Sequence, residues 1–276
     1  MTAIPAETTY AASSSRLPHR VLAGSGVFWF LCALAGQTMF AVYIAVFYGG
    51  SAIAGSLARW NDVLFNGLRP GDVIGNALLM LHLPLAFIIT ASGPLQLIPA
   101  LRRRMPAFHR WNGRAYIAVA LVISSGAILL NLMRPEFGGW PNAILQCTNG
   151  AAIFTCALLA WRAARARKFA AHRRWGTRLF LMASGVWFLR VMMIAWAIPT
   201  QGAGLGDQLD GPIGRAAMLG QTVIPLAVYQ LYLMAESSRL AAAKYAMASL
   251  LVVLTLVMAG GILGASFVMW LPRITN

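Results

Sequence analysis

Long apolar runs recur along the chain from Val27 to Leu271, separated by short polar or basic intervals. Runs of about 20 residues, the length that crosses a bilayer as a helix, fall near 26–48, 76–100, 108–133, 142–161, 176–198, 214–236 and 245–271. They predict an all-α polytopic transmembrane bundle of about seven helices. No interval between them is long enough to fold by itself, so residues 21–276 are expected to form a single domain. Met1 to Ser15 are small and polar and, with the next few residues, predict a disordered cytoplasmic lead over 1–20. The apolar run behind Arg16 and Arg20 is too long for a signal-peptide core and is expected to stay as an anchor. Between the first two spans, Ala54, Leu57, Trp60, Val63 and Leu64 recur at roughly helical spacing, which predicts a segment lying along the membrane interface.

Charge sets the direction of threading. Arg16 and Arg20 precede the first span, and Arg102, Arg103, Arg104 and Arg110 separate the second from the third. Arg162, Arg165, Arg167, Lys168, Arg173 and Arg174 lie between the fourth and fifth, and Arg239 and Lys244 follow the sixth. The other connections carry Asp62, Asp72, Glu136, Asp207 and Asp210. Lys and Arg stay on the cytoplasmic side, so this alternation predicts a cytoplasmic N-terminus and a periplasmic C-terminus in a multi-pass protein of the bacterial inner membrane. Trp111, Trp161 and Trp175 at inner span ends, and Trp140 and Trp270 at outer ends, are expected at headgroup level.

Composition agrees and narrows the function. With 59% hydrophobic and 11% charged residues and a mean hydropathy of +0.68, a water-soluble domain is excluded. The net charge of +15 comes from clusters between apolar runs rather than one continuous basic face, so the expected partner is the lipid bilayer and not nucleic acid. Cys32, Cys147 and Cys156 lack paired metal or redox spacing and are expected to be apolar fillers. Hydrolase and phosphate-loop motifs are missing.

Three of the four histidines open a similar phrase. His19-Arg20 is a short echo; His109-Arg110-Trp111-Asn112-Gly113-Arg114 and His172-Arg173-Arg174-Trp175-Gly176-Thr177-Arg178 are clearly related, which suggests a repeated helix-pair unit. His109 and His172 start parallel helices at the same membrane face. They either cap helices and touch lipid phosphates or converge on one metal or haem iron, with Asn112, Arg114 and Arg178 as donors toward propionates. His82 stands about 9 Å below the outer end of the second span, within the hydrocarbon. It is expected either to bond a neighbouring carbonyl or hydroxyl or to serve a site. Arg190 lies at similar depth in the fifth span and requires an anion unless it snorkels to the surface. A site between the second and fifth helices follows, with the imidazole toward iron or a quinone oxygen and the guanidinium toward an anionic group. Gly93-Pro94-Leu95-Gln96 interrupts the second helix and offers Gln96 to a neighbour or ligand.

His82, Gly93 to Gln96, His109 to Arg114, His172 to Trp175 and Arg190 together resemble the bacterial predicted-membrane-protein family called domain of unknown function 2306, over a core motif region of about 76–195. That resemblance implies relatives without an activity. A looser likeness is to cytochrome b-561-type proteins, whose helices carry histidines that ligate two b haems. It implies that His109 and His172 are inner axial ligands and His82 one outer ligand. The fourth span has no histidine, so one haem b, or one haem b and a quinone site, is the most it supports.

The leading expectation is therefore an integral membrane electron-transfer protein, with quinone or another redox partner and metal ligation by His109, His172 and His82. The rival is a non-catalytic membrane subunit or assembly factor, meeting other membrane subunits, in which Gly126, Gly150, Gly260, Gly261 and Gly264 pack helices and the histidines are polar glue. A proton-coupled transporter using His82 is weakened by the lack of an intramembrane Asp or Glu.

Overall fold

A computed structural model describes residues 16–64, 67–135 and 137–275, and every regular element among them is helical. Six helices are long and apolar enough to cross a membrane, and a bent pair makes a seventh crossing. We label them α1 (Leu17–Ile53), α2 (Val73–Leu97), α3 (Pro99–Arg104), α4 (Pro106–Met133), α5 (Gly139–Arg165), α6 (Phe169–Ala183), α7 (Gly185–Thr200), α8 (Pro212–Ser237) and α9 (Ala241–Thr275). The helix α3 is a single short piece between two crossings.

The starts of these helices are written in the chain. Pro18, Pro99, Pro106 and Pro212 sit in the first turns of α1, α3, α4 and α8, where a missing N–H costs nothing and a fixed φ suits the helix. Asp72 caps α2 by accepting from the Gly75 N–H at 2.8 Å. Because Pro18 lets α1 begin at Leu17, the lead expected over 1–20 ends sooner: Leu17 to Arg20 are helical, while residues 1–15 lie outside the described residues.

Antiparallel neighbours pack in the order α2, α4, α5, α6 around one side, while α9 closes against α1 and α7, and α8 against α5 and α7. Small residues let several of these backbones approach. A Cβ on Gly261 would collide with the Val191 carbonyl of α7, one on Gly264 would lie 2.5 Å from Ile198, and one on Gly150 would lie 2.8 Å from Ile128. Gly126 and Gly260 meet no such close neighbour, so the expected contact stripe holds at three of its five glycines.

The expected fifth span is not one rod. α6 and α7 meet at Ser184 with a 53° bend, a broken crossing of the kind that membrane proteins place beside ligand sites. Two further irregularities are π-type turns, Ile44–Gly49 inside α1 and Ser266–Trp270 inside α9. The second carries α9 on past the predicted boundary and buries Trp270 completely, 5.4 Å from the Phe40 ring. Trp270 is thus a core side chain and not a headgroup anchor; Trp111, Trp140 and Trp161 remain exposed as expected.

Residues 51–75 also depart from expectation. Leu57–Asp62 forms a tight 3-10 turn that folds over the end of the bundle. Trp60 is buried and donates its indole N–H to the Tyr48 carbonyl at 3.1 Å, which pins the turn to α1.

Candidate functional site

The helix α2 contains Pro84 and Pro94. Neither has an N–H, so the carbonyls of Met80 and Thr90, four residues earlier, lose their helical donors. Between those positions His82 stands nine residues into α2, roughly 13 Å from its start at helical rise. Arg190 stands ten residues before the end of α7, roughly 15 Å by the same measure. The two side chains border one cavity of about 270 Å³.

Arg190 is held rather than neutralised. Its Nη1 donates to the Val186 carbonyl at 3.3 Å, and the guanidinium lies 5.4 Å from the Phe40 ring centre. No acidic side chain pairs with it, and no hydrogen bond reaches the His82 ring, among the described residues. The imidazole therefore lacks the carbonyl or hydroxyl partner that a purely structural histidine needs at this depth.

The rest of the wall is polar at chosen points. Gln37 donates its Nε2–H to Ser184 Oγ at 2.7 Å, and Ser184 Oγ donates to the Phe180 carbonyl at 2.8 Å, so the α6–α7 break is tied to α1. Asn149 donates to Thr222 Oγ1 at 3.1 Å and Gln221 donates to Gln146 Oε1 at 3.0 Å. Asn149 fits only because residue 185 is glycine: a Cβ there would lie 2.7 Å from Asn149 Nδ2. Trp187, also in the wall, keeps a buried indole N–H without a partner.

Tyr48 and Leu64 line the cavity beside the described residues 54–64 and 67–72. That segment is tied down by Arg134, which is 1% exposed. Arg134 Nε and Nη2 reach Asp72 Oδ2 at 2.8 and 2.7 Å, Nη1 donates to the Gly67 carbonyl at 2.7 Å, and Nη2 donates to Asn76 Oδ1 at 2.9 Å. The Gly75 N–H and then Arg134 hold the Asp72 carboxyl below the usual carboxylate range.

At the opposite, basic end stand His109, in the first turn of α4, and His172, in the first turn of α6. The His172 Nδ1–H donates to the Ala160 carbonyl at 3.0 Å, which leaves Nε2 as the free nitrogen. His109 Nδ1 and Gln96 Nε2 are both buried without hydrogen-bond partners. Gln96 lies against Gly113, one turn after His109, where a Cβ would stand 3.2 Å from its oxygen. Arg114 stacks on Trp111 at 4.9 Å. Arg178 stacks on Trp175 and Tyr229 at 4.8 and 5.5 Å and donates to Gln230 Oε1 at 3.1 Å. These two arginines are thus engaged with their own helices and α8. No group of three or more His, Cys, Asp or Glu side chains converges among the described residues. The expected ligands His109 and His172 share one end, and His82 stands apart from them.

The predicted membrane protein family DUF2306 matches residues 79–232, more than half of the chain. The chain belongs to that family. Within the DUF2306 segment stand His82, Gly93 to Gln96, both histidine phrases and Arg190, whereas α1 and α9 lie outside it; contrary to expectation α2 runs unbroken through Gly93–Gln96, with Pro94 inside the helix. No curated protein and no solved structure matches the chain. It is a multi-pass membrane protein of that family, and its chemistry rests on its own geometry.

Sequence reasoning missed Gln37, Trp187 and Arg134. Gln37 carried a usable signal, an amide inside an apolar run; Arg134 carried another, a lone base in an otherwise acidic connection.

Proposed function

We propose that this DUF2306 protein is an electron-transfer protein of the bacterial inner membrane whose α2–α7 cavity takes a quinone-type ring. One observation carries the proposal: His82 and Arg190 border the same membrane-depth cavity, and neither has an acidic partner among the described residues. A guanidinium without a counter-ion inside a bilayer is costly, so a ligand oxygen that accepts its hydrogen bonds offsets that cost. The volume of about 270 Å³ is near the lower end of the ~300–1,000 Å³ range of small-molecule sites. It suits one substituted ring rather than a macrocycle.

A bound quinone would supply the redox chemistry, exchanging two electrons and two protons with its quinol, the electrons coming from an external redox partner and the second proton from water. The chain does the rest. Arg190 holds a ring oxygen and favours the negative charge that grows there. His82, with one N–H and one lone pair, transfers a proton at the other oxygen. The Gln37–Ser184 and Asn149–Thr222 pairs satisfy each other, leaving the two ionisable groups to face the ring.

For the basic end, the free Nε2 of His172 and the unpartnered Nδ1 of His109 and Nε2 of Gln96 favour a second reading. There, His109 and His172 would hold the iron of a haem b, which would supply one-electron chemistry when bound. Arg114 and Arg178 would have to leave their aromatic rings to serve its propionates.

The test is a spectrum of protein purified from haem-replete cells, before and after dithionite, together with titration of a tailless benzoquinone. Ring binding that weakens at least about tenfold in His82→Ala supports the cavity reading. A Soret band lost in both His109→Ala and His172→Ala supports the second centre. A folded, colourless protein that binds no ring is what a non-catalytic subunit requires, and it ends the proposal.

A further inference from the structure

Beside the polar cavity, α1 and α2 enclose a second space of about 410 Å³ that is almost wholly apolar. Its walls come from the next faces of the same two helices: Leu34, Ala41 and Ala45 on α1, and Phe87, Ala91 and Pro94 on α2. Phe87 and Val42 remain exposed at its mouth, so the groove opens toward lipid. Thr90 belongs to both spaces. Its hydroxyl makes no hydrogen bond among the described residues, and Pro94 has removed the helical donor to its carbonyl. Thr90 is therefore a wall that groove and cavity share, and it carries one polar pair there.

We propose that the cavity ligand is a lipid-borne molecule: its polar ring lies against His82 and Arg190, and its hydrocarbon tail passes Thr90 and runs along the α1–α2 groove. This rests on the ring reading above and adds a tail subsite and a route from the bilayer. A water-soluble ligand would have no use for an apolar groove that shares a wall with its pocket. A bilayer acyl chain alone would have no use for the polar junction. A tail gains no hydrophobic energy on leaving lipid for such a groove, since both are apolar. Its contribution is the close contact of a shaped wall and the fixed orientation of the ring.

The experiment uses the full chain in nanodiscs and compares a tailless benzoquinone with the same ring bearing a decyl tail. Wild-type protein is set against Ala91→Trp and Ala45→Trp, both exposed groove positions. Partition of the tailed probe into the bilayer is common to all three proteins and cancels when the affinity ratios are compared. The expected result is a tailed-to-tailless ratio that falls about fivefold or more in both tryptophan variants, with tailless-ring affinity unchanged. Tailless binding with equal ratios in all three proteins overturns the tail subsite and leaves the ring reading standing. Failure of both probes to bind wild type overturns both readings, and tailless binding without tailed binding overturns the tail subsite alone.

Discussion

The guanidinium of Arg134 grips the Asp72 carboxylate twice, through Nε at 2.8 Å and Nη2 at 2.7 Å, although the two residues stand 62 positions apart. Arg134 ends α4 and Asp72 begins α2, so the pair joins two crossings and fixes the segment folded over the cavity. Replacing Arg134 by Gln takes the guanidinium from the Gly67 carbonyl and from Asp72 Oδ2. The expected outcome is a thermal midpoint lower by about 5 °C and faster hydrogen exchange at Trp60, read by mass spectrometry.

Asp72 gives this tie a pH signature. Its carboxyl titrates lower in the folded protein than in the unfolded chain, first through the Gly75 N–H and then through Arg134. The stabilisation is complete above the unfolded carboxylate value of about 3.9. It is lost as pH falls from there through the lower folded value, because the unfolded state takes up the proton first. Thermal melts of the wild type are expected to lose stability in that acidic window, and melts of Asp72→Asn are expected to lack that component.

Arg190 separates charge from shape. Arg190→Lys keeps a cation but not the planar fork that reaches the Val186 carbonyl through Nη1 and leaves its other N–H groups for the proposed ring oxygen. Affinity for the tailless ring is expected to fall about tenfold in Arg190→Lys and further in Arg190→Gln, measured by equilibrium titration. Equal affinity in all three proteins removes Arg190 from the site.

The Gly185–Asn149 approach predicts a packing effect. A methyl at 185 would press on Asn149 Nδ2, which also bonds Thr222 and, at 3.5 Å, the Met182 carbonyl. Gly185→Ala is expected to cost about 1–3 kcal/mol and to weaken ring binding through the displaced wall. Chemical denaturation and titration of the same preparation check both.

The crossings were legible because a bilayer demands long apolar helices, and the runs from Val27 to Leu271 supply them. The break at Ser184 was hidden for the same reason: the run 176–198 is apolar on both sides of it, and the 53° turn is held by Gln37 from a distant helix. His82 and Arg190 announced themselves as ionisable groups at matching depth, and the fold brings them to one cavity. What covers that cavity was not legible. Trp60 was expected at the interface because its spacing looked helical, whereas its burial depends on the Tyr48 carbonyl and on Arg134 and Asp72, pairings that no local pattern encodes.

Because Gln37, Phe40, Ile44 and Tyr48 reach the cavity from α1, ahead of the family segment that begins at residue 79, the cavity wall is composed from two stretches of chain, one inside that segment and one outside it. A chimera that keeps 79–232 and borrows another leading helix would inherit the imidazole and the guanidinium but face them with a foreign wall. Selectivity would then travel with the graft, and charge with the host.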